Sequence, residues 1–297
     1  MVGFDLPSSS ALVSGLAARK RSGLDAFYIH TTGASNLSDN FLAHPELHNA
    51  HMSGAPYLPP IYTDSLTSNY PDSIPSVIHK LQAESNYPQR TNDIMVRTLG
   101  ETFGVPTYLV MPPHIIGQGT GIFNQGSVAV PSIIRGSLKA GYVPYLKGAE
   151  DCHWSAIHIQ DLGRAYVKLT EAVLAGREEV CGEGRDGYFF VEAYTFRMGE
   201  LAEQLVEIMK AKGQDVEGAK GVDVDTAADL LAYGMKQFVE GSFGCNSLQK
   251  AERLRQLGWE PKFTGQEVWK KTLEGDADAV LGGQEDKAII GLLKLIS

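Results

Sequence analysis

The chain has 297 residues, of which 43% are hydrophobic and 21% charged, a composition typical of a globular protein with a sizeable core. Its net charge of −9 argues against a broad nucleic-acid-binding face, because phosphate contacts require clustered Lys and Arg. The longest apolar run, residues 288–293, is far shorter than a membrane span, and residues 1–10 lack the basic and apolar regions of a secretory signal. We therefore predict a cytoplasmic protein that binds neither nucleic acid nor membrane.

The first predicted elements are a helix over residues 11–21, capped by the serines at 8–10, and a buried strand over residues 26–30. Residues 34–90 form a long stretch rich in Pro, Ser, Asn and Tyr, and such stretches are usually functional or partly disordered. A helix over 92–103 and a buried strand over 105–111 follow, with Gly104 between them.

The second half begins with predicted helices over 131–140 and 162–174, of which Asp161 would cap the second. A strand over 188–191 precedes an amphipathic helix over 198–212. The alternation of buried strands and helices predicts an α/β fold with a parallel sheet. After about residue 190 the pattern changes to helices and short linkers, which predicts a smaller C-terminal lobe.

Cysteine and histidine spacing indicates no metal centre. The three cysteines lie far apart and form no Cys-x-x-Cys pair, which fits a reducing compartment rather than a zinc site or a disulfide framework. His44 and His48 would share a face of a helix and could bind a metal, with His51 close by. Gly54 and the surrounding polar residues favour a surface loop instead, so we predict no metal.

Four segments carry a resemblance to a known family. They are FYIHTTG (27–33), YLVMPPHIIG (108–117), WSAIHIQDLGRAY (154–166) and RLRQLGWEP (253–261). Their order and spacing over about residues 11–272 resemble the extended short-chain dehydrogenase/reductase superfamily, and within it the NAD-dependent epimerase/dehydratase-like proteins common in fungi. This fold hosts many chemistries, so the resemblance is more specific for fold than for activity.

The resemblance implies an incomplete doubly wound, Rossmann-like parallel sheet with a small helical C-terminal lobe. Residues 1–190 would be a partial NAD(P)-binding domain, 191–275 a smaller substrate-side lobe and 276–297 a tail. NAD or NADP would be the cofactor, and a small carbonyl or hydroxyl compound or a sugar nucleotide the substrate. The residues that would line the nicotinamide end are Thr31, Thr32, Gly33, Pro112, Pro113, His114 and Ile115.

The glycine-rich turn that holds the pyrophosphate in this family is not found between a strand and a helix. Gly182, Gly184 and Gly187 match the spacing formally, but they follow a helix and precede a strand, so we predict an ordinary turn there. In the family the glycine turn and two further strands precede the strand at 26–30, roughly 70 residues in all. Without them this strand becomes an exposed edge, which predicts self-association, or a fragment of a longer product.

The proton-transfer pair of the family, a Tyr four residues before a Lys, is also absent, because Gln89 and Asp93 stand at those positions. Tyr87 lies close by, and Thr32 adjoins Gly33, which aligns with the family's catalytic Ser/Thr. We therefore predict Thr32 and Tyr87 as the catalytic candidates. Two hypotheses stay open: an NAD(P)-dependent oxidoreductase or epimerase, and a catalytically degenerate binding or regulatory protein.

Overall fold

The computed structural model describes residues 2–39, 59–65, 71–177 and 182–285, and its architecture is α/β. The strands are β1 (Tyr28–Thr31), β2 (Ile61–Thr63), β3 (Thr107–Met111), β4 (His114–Ile116), β5 (Val143–Leu146), β6 (His153–His158), β7 (Tyr188–Phe190), β8 (Tyr194–Arg197), β9 (Ala219–Val222) and β10 (Leu248–Lys250). The helices are α1 (Leu6–Arg21), α2 (Ile74–Glu84), α3 (Pro88–Phe103), α4 (Ala129–Ala140), α5 (Ile159–Leu174), α6 (Met198–Ala211), α7 (Val224–Leu231), α8 (Lys236–Phe243), α9 (Arg253–Gln256) and α10 (Gln266–Leu281).

The central sheet is parallel, with the strand order β1-β3-β7 in the described ranges. Tyr28 pairs with Thr107, and Leu109 pairs with Tyr188. Strand β3 is buried along its whole length, whereas β1 lies at the edge and leaves Thr31 exposed. The predicted parallel α/β sheet is confirmed, and so is the edge position of this strand in the part of the chain that the structure describes.

A second sheet, β4-β6-β8, is mixed, because β4 runs parallel to β6 while β8 runs antiparallel to it. Two smaller parallel pairs join β2 to β10 and β5 to β9. Three strands thus lie beyond residue 190, where the sequence indicated only helices and linkers. The proposed division at residue 190 stays a prediction, although β8 beyond it pairs with β6 before it, and α10 runs across residue 276.

Several element boundaries differ from the prediction, for a local reason in each case. Helix α1 begins at Leu6, because the Asp5 carboxylate accepts a hydrogen bond from the Ser8 N–H (3.2 Å) and Pro7 needs no partner in the first turn. The predicted cap at residues 8–10 is therefore wrong. Residues 34–90, predicted as loop-rich, contain β2, all of α2 and the first turn of α3.

Helix α5 also begins earlier than predicted, at Ile159. His158 is its cap, and the His158 Nδ1 atom accepts a hydrogen bond from the Gln160 N–H (3.2 Å). The predicted cap, Asp161, lies inside the first turn and is fully buried. Its carboxylate accepts hydrogen bonds from the backbone N–H groups of Lys262 (2.8 Å) and Phe263 (2.9 Å), so it fastens the C-terminal segment to α5 instead.

Two hydrophobic clusters form the core. One surrounds β5 and β6 with α4, α6 and α10 and contains Trp154 and Trp269. The other surrounds β3 and β7 with α5 and contains Phe189 and Trp259. Trp259 is 3% exposed and packs in this second cluster, so the expectation that it packs within the C-terminal lobe is wrong. Among the helices described here, none has the length and apolar character needed to cross a membrane.

The loop between β4 and α4, residues 117–127, carries two apolar residues on its tip. Ile122 is 93% exposed and Phe123 is 91% exposed. Both ends of the loop are fixed to α10 by the fully buried Asp276. Its carboxylate accepts hydrogen bonds from the Gly117 N–H (3.3 Å), Gln118 Nε2 (2.8 Å) and Ser127 Oγ (3.0 Å). The base of the loop is therefore rigidly held, while its tip projects into solvent.

Candidate active site

A buried polar cluster lies behind the carboxyl end of β1. The Thr32 hydroxyl donates to Asp93 Oδ2 (2.7 Å), and Asn36 Nδ2 donates to the same oxygen (2.6 Å). His30 Nε2 lies 3.5 Å from the other carboxylate oxygen, Asp93 Oδ1. Asp93 is completely buried, and burial raises the pKa of its carboxyl group despite these donors.

This cluster engages both Thr32 and Asp93 in internal hydrogen bonds. Thr32 is only 6% exposed, and its proton is given to a carboxylate rather than offered outward. Asp93 stands where the resemblance places the lysine that would hold a ribose, yet it is enclosed by Thr32, Asn36 and His30. A buried carboxylate with several donors stabilises the local structure and is poorly placed to meet a ligand.

A second, half-buried cluster lies on the opposite side of Gly33. The Tyr87 hydroxyl donates to Ser35 Oγ (3.2 Å), and the Ser35 hydroxyl donates to Gln89 Oε1 (2.9 Å). Gly33 lies so close that a Cβ atom there would be 3.1 Å from Gln89 Nε2. The structure thus joins Tyr87 with Gln89, the residue at the tyrosine position of the resemblance, through Ser35.

Sequence reasoning did not select Ser35. It lies two residues beyond Gly33, in the 3-10 turn Ala34–Leu37, and this turn aims its side chain toward the start of α3. Its position as the second hydroxyl after the strand was the available signal. The finding matters because a Ser–Tyr hydroxyl pair can hold and protonate a carbonyl oxygen.

Tyr87 is held as a protonated phenol. Loss of hydration raises its pKa, and the hydrogen bond to Ser35 and the nearby Arg90 only partly oppose this. The Arg90 guanidinium lies 5.3 Å from the centre of the Tyr87 ring and donates to the Ser85 carbonyl (2.8 Å). Phe4 packs edge-on against the same ring, 6.0 Å between centres. At neutral pH the phenol is therefore in its proton-bearing form, and its raised pKa makes it a weaker acid than an ordinary tyrosine.

Thr31 faces the other side of β1. Its hydroxyl lies 2.6 Å from the Tyr166 hydroxyl on α5, and burial raises the pKa of Tyr166 to about 12. The carbonyl oxygen of Thr31 lies beside the N-terminal turn, where a Cβ on Gly3 would approach it to 3.1 Å. Thr31 and Thr32 are therefore separated by the sheet and do not form one hydroxyl cluster.

Of the predicted residues after β3, Pro112 contacts the turn that carries Ser35, whereas His114 packs against Trp154. The Pro112 carbonyl accepts a hydrogen bond from the Ala34 N–H (2.9 Å), which ties β3 to the turn that carries Ser35. His114 instead turns its ring toward Trp154 (4.4 Å between centres), and its Nε2 lies 3.0 Å from the Ser242 carbonyl oxygen. Burial lowers the pKa of His114 to about 4.

The remaining predicted residues lie nearby without a polar role. Ile115 packs against the β3–β7 core, and Pro113 is buried. Gly182, Gly184 and Gly187 form a short 3-10 turn that leads into β7, which confirms the predicted turn. His44, His48 and His51 lie outside the described residues. Within the described ranges, no group of three His, Cys, Asp or Glu side chains could hold a metal ion.

No protein-family model matches the sequence, and no curated protein matches it. Solved structures do match it. The PbgP3 protein from Burkholderia pseudomallei superposes with a TM-score of 0.56 at 14% identity, over 94% of this chain and 70% of that one. UDP-glucuronic acid 4-epimerase from Bacillus cereus, in complex with UDP-glucuronic acid and NAD, gives 0.54 at 12% identity, over 93% and 67%.

A third match is dTDP-glucose 4,6-dehydratase from Bacillus anthracis in complex with NAD, with a TM-score of 0.51 at 12% identity over 95% of this chain and 69% of that one. Identities this low establish a likeness of fold and nothing more specific. The chain therefore has the Rossmann-like α/β fold that these epimerase and dehydratase structures share.

Proposed function

We propose that this chain is an NAD(P)-dependent oxidoreductase of the extended short-chain dehydrogenase lineage that acts on a small carbonyl or hydroxyl compound. The observation that carries the proposal is the hydrogen-bonded pair formed by Tyr87 and Ser35 beside the end of β1 (3.2 Å). Two of the solved structures with this fold contain NAD, and one also contains a UDP-sugar, which supports a dinucleotide cofactor and extends the substrate candidates to sugar nucleotides.

The fit to a dinucleotide is confined to one end of that cofactor. The half-buried hydroxyls of Ser35 and Tyr87 could hold the carboxamide or ribose groups near a nicotinamide ring. The glycine-rich connection from β4 to α4, residues 117–127, is a long loop anchored on α10 and not the tight turn that usually cradles a pyrophosphate. Cofactor affinity should therefore be modest.

The chemistry of the pair favours reduction. The cofactor, when bound, would supply the hydride to the carbonyl carbon. Tyr87, whose phenol stays protonated, would turn its proton from Ser35 to the carbonyl oxygen, and Ser35 would turn its own from Gln89 to hold that oxygen by a second hydrogen bond. Since the described surroundings of Tyr87 include no lysine that would lower its pKa, the reverse oxidation should be slow at neutral pH.

A second candidate is a degenerate binding protein without turnover, and one specific observation favours it. Gln89 and Asp93 occupy the positions of the tyrosine and lysine, and both are buried and hydrogen-bonded within the protein. Neither can serve as the acid in a reduction: Gln does not ionise, and the Asp93 carboxylate is enclosed. This candidate requires the chain to bind a nucleotide or partner without chemical change.

The test is a titration of the purified chain with NADH and NADPH, followed by nicotinamide fluorescence and calorimetry. Micromolar binding would support the proposal and would be followed by a screen of carbonyl compounds. The replacement Tyr87→Phe should then abolish turnover and weaken cofactor binding by no more than about tenfold, because the proton donor and one hydrogen bond to the cofactor are lost while Ser35 remains. Tyr142→Phe, a half-buried tyrosine beside Lys220, is the matched control and should keep full activity.

Two results would contradict the proposal. Unchanged turnover in Tyr87→Phe would remove Tyr87 as the acid. Failure to bind either cofactor up to millimolar concentration would favour the degenerate candidate.

A further inference from the structure

A cleft of about 570 Å³ lies away from the Ser35–Tyr87 pair, between the start of the 117–127 loop, the beginning of α5 and the first half of α10. Its lining residues are Gly117, Gln118, His158, Lys262, Phe263, Val268, Lys271, Thr272 and Gly275. We refer to it as the α10 cleft. Nothing in the proposed reaction uses these residues, yet the lining combines apolar surface, an imidazole and two cations.

The imidazole of His158 has one nitrogen unused. Its Nδ1 accepts a hydrogen bond from the Gln160 N–H (3.2 Å), which places the proton of the neutral ring on Nε2. The Nε2 atom has no hydrogen-bond partner among the described residues, although the residue is only 6% exposed. This N–H is therefore an unpaired donor at the wall of the α10 cleft, where a bound acceptor could take its hydrogen bond.

The ring orientation and its neighbour keep this donor available. His158 stacks on Phe263 with ring centres 3.9 Å apart and planes 4° apart, so the ring cannot turn freely. Gly117 lies directly against Nε2: a Cβ atom at Gly117 would be 2.4 Å from it. Gly117 also has φ +83°, a conformation that favours glycine. Any other residue there would cover the His158 donor.

The charges around the α10 cleft favour an anion. Lys271 is already paired with Glu267 (2.7 Å), whereas the Lys262 ammonium has no carboxylate partner within the described ranges. No carboxylate is among the lining residues. The nearest buried acid on α10, Asp276, is satisfied by three donors at the loop base, and burial raises its pKa.

We propose that the α10 cleft binds a small carboxylate with a flat apolar body, of the class of aromatic monocarboxylates. The carboxylate would accept hydrogen bonds from His158 Nε2–H and from the Lys262 ammonium, which are charge-assisted and directional. The apolar body would lie against Phe263 and Val268. The mixture of apolar lining with one or two donors is the composition of small-molecule sites in general.

The test uses benzoate as the probe, titrated into the full chain by calorimetry, with the His158 ring nitrogens followed by ¹⁵N NMR. Saturable binding and a shift confined to the Nε2 resonance are expected. Lys262→Met keeps the apolar stem and removes the charge, so it should weaken binding about tenfold. Lys270→Met is the matched control, because Lys270 is next to Lys271 on α10 but does not line the cleft. It should leave the affinity unchanged.

Two further comparisons decide the nature of the site. Val268→Trp should fill the cleft and abolish binding, and its own thermal unfolding curve shows whether the variant is folded. Benzyl alcohol, which has the same ring without the charge, should bind at least about tenfold more weakly than benzoate. Lack of saturable benzoate binding, equal binding of the alcohol, or equal affinity in folded Val268→Trp would overturn the proposal. None of these readouts depends on NAD(P) or on turnover.

Discussion

At the scale of single residues, Asp93 determines how the hydroxyl groups near the carboxyl end of β1 are hydrogen-bonded. Asp93 cannot reach solvent and is surrounded by Thr32, Asn36 and His30. Its presence turns the Thr32 hydroxyl inward, whereas Ser35 and Tyr87 form a separate, half-buried hydroxyl pair. The resemblance points to this end of the strand as the site, which stays a prediction, but a motif comparison follows fixed positions and cannot find a hydroxyl supplied from a new one.

The Thr32 hydroxyl should therefore contribute to stability. Thr32→Val removes a donor from a fully buried carboxylate, and we expect a loss of about 1–3 kcal/mol in the free energy of unfolding. Thr32→Ser keeps the donor and should lose much less. Urea unfolding of both variants measures the difference, with Thr120→Val, at an exposed threonine of the 117–127 loop, as control. Equal stability of Thr32→Val and wild type would show that the Asp93 cluster does not need this bond.

His114 should make the protein sensitive to acid. Its pKa is about 4 in the folded protein, below the ordinary value of 6.5, because its ring packs in the core. Its contribution to stability is therefore fully present above about pH 6.5 and is lost as the pH falls toward 4. The loss amounts to at most about 3 kcal/mol, at 1.36 kcal/mol for each pH unit.

The measurement is urea unfolding at several pH values for wild type and His114→Phe. The variant has no ionisable group at this position, so its stability should fall less steeply between pH 6.5 and 4, although it loses the Ser242 hydrogen bond at every pH. Parallel curves for the two proteins would mean that His114 titrates normally. That result would reopen the sequence prediction that His114 lines a ligand site.

At the scale of elements, the sequence indicated helices α1, α3, α4, α5 and α6 in their order, whereas it missed α2 and most helix ends. Strands β4, β8 and β10 have only three or four residues, which is too few for an alternation of apolar and polar residues to be recognised. Helix α3 begins at Pro88, four residues before the predicted start, because Pro needs no N–H partner in the first turn. The polar residues that follow it are buried by neighbouring elements, which no amphipathic pattern reveals.

The packing of α3 on β3 depends on Gly100. A Cβ atom there would lie 2.4 Å from Thr107 Cγ2 and 2.9 Å from the Val105 carbonyl oxygen. Gly100→Ala should therefore push the helix off the strand and cost at least about 1–3 kcal/mol. Gly163→Ala on α5 is the matched control: nothing lies within 4 Å, so it should stabilise the protein by about 0.5–1 kcal/mol.

Thermal and urea unfolding of the two glycine variants decide this point. We expect Gly100→Ala to lower the free energy of unfolding and Gly163→Ala to raise it. Helix propensity favours alanine at both positions, and only the contact made by the new Cβ atom differs. A gain in stability for Gly100→Ala would mean that α3 can move away from β3 at little cost.

At the scale of the whole molecule, the parallel sheet was predicted from the order of buried strands, and the edge position of β1 from the resemblance. The sequence missed the mixed sheet β4-β6-β8, because the pairing of β6 with β8 joins segments that read as separate lobes. It also missed the α10 cleft, whose lining comes from three distant segments of the chain. Contacts between remote segments leave no local pattern in the sequence.

The edge of β1 leads to a prediction about assembly. Ile29 is half-buried on a strand that pairs only with β3 within the described ranges, so a second copy could add its own β1 there. We expect a dimer by size-exclusion chromatography with light scattering, and Ile29→Lys should shift it to monomer. Ile61→Lys, which adds the same charge at a 66% exposed isoleucine of β2, should not. A wild-type monomer at high concentration would contradict the prediction.

The loop at residues 117–127 has a consequence for how the chain tolerates change in length. Because Asp276 fixes both of its ends on α10, residues added between Ile122 and Phe123 would extend a closed loop without moving its anchors. Loop-closure entropy grows only logarithmically, so doubling the length of this loop would cost about 0.6 kcal/mol. The tip is thus a natural insertion point, where evolution or an experimenter could graft a new peptide while the fold beneath stays intact.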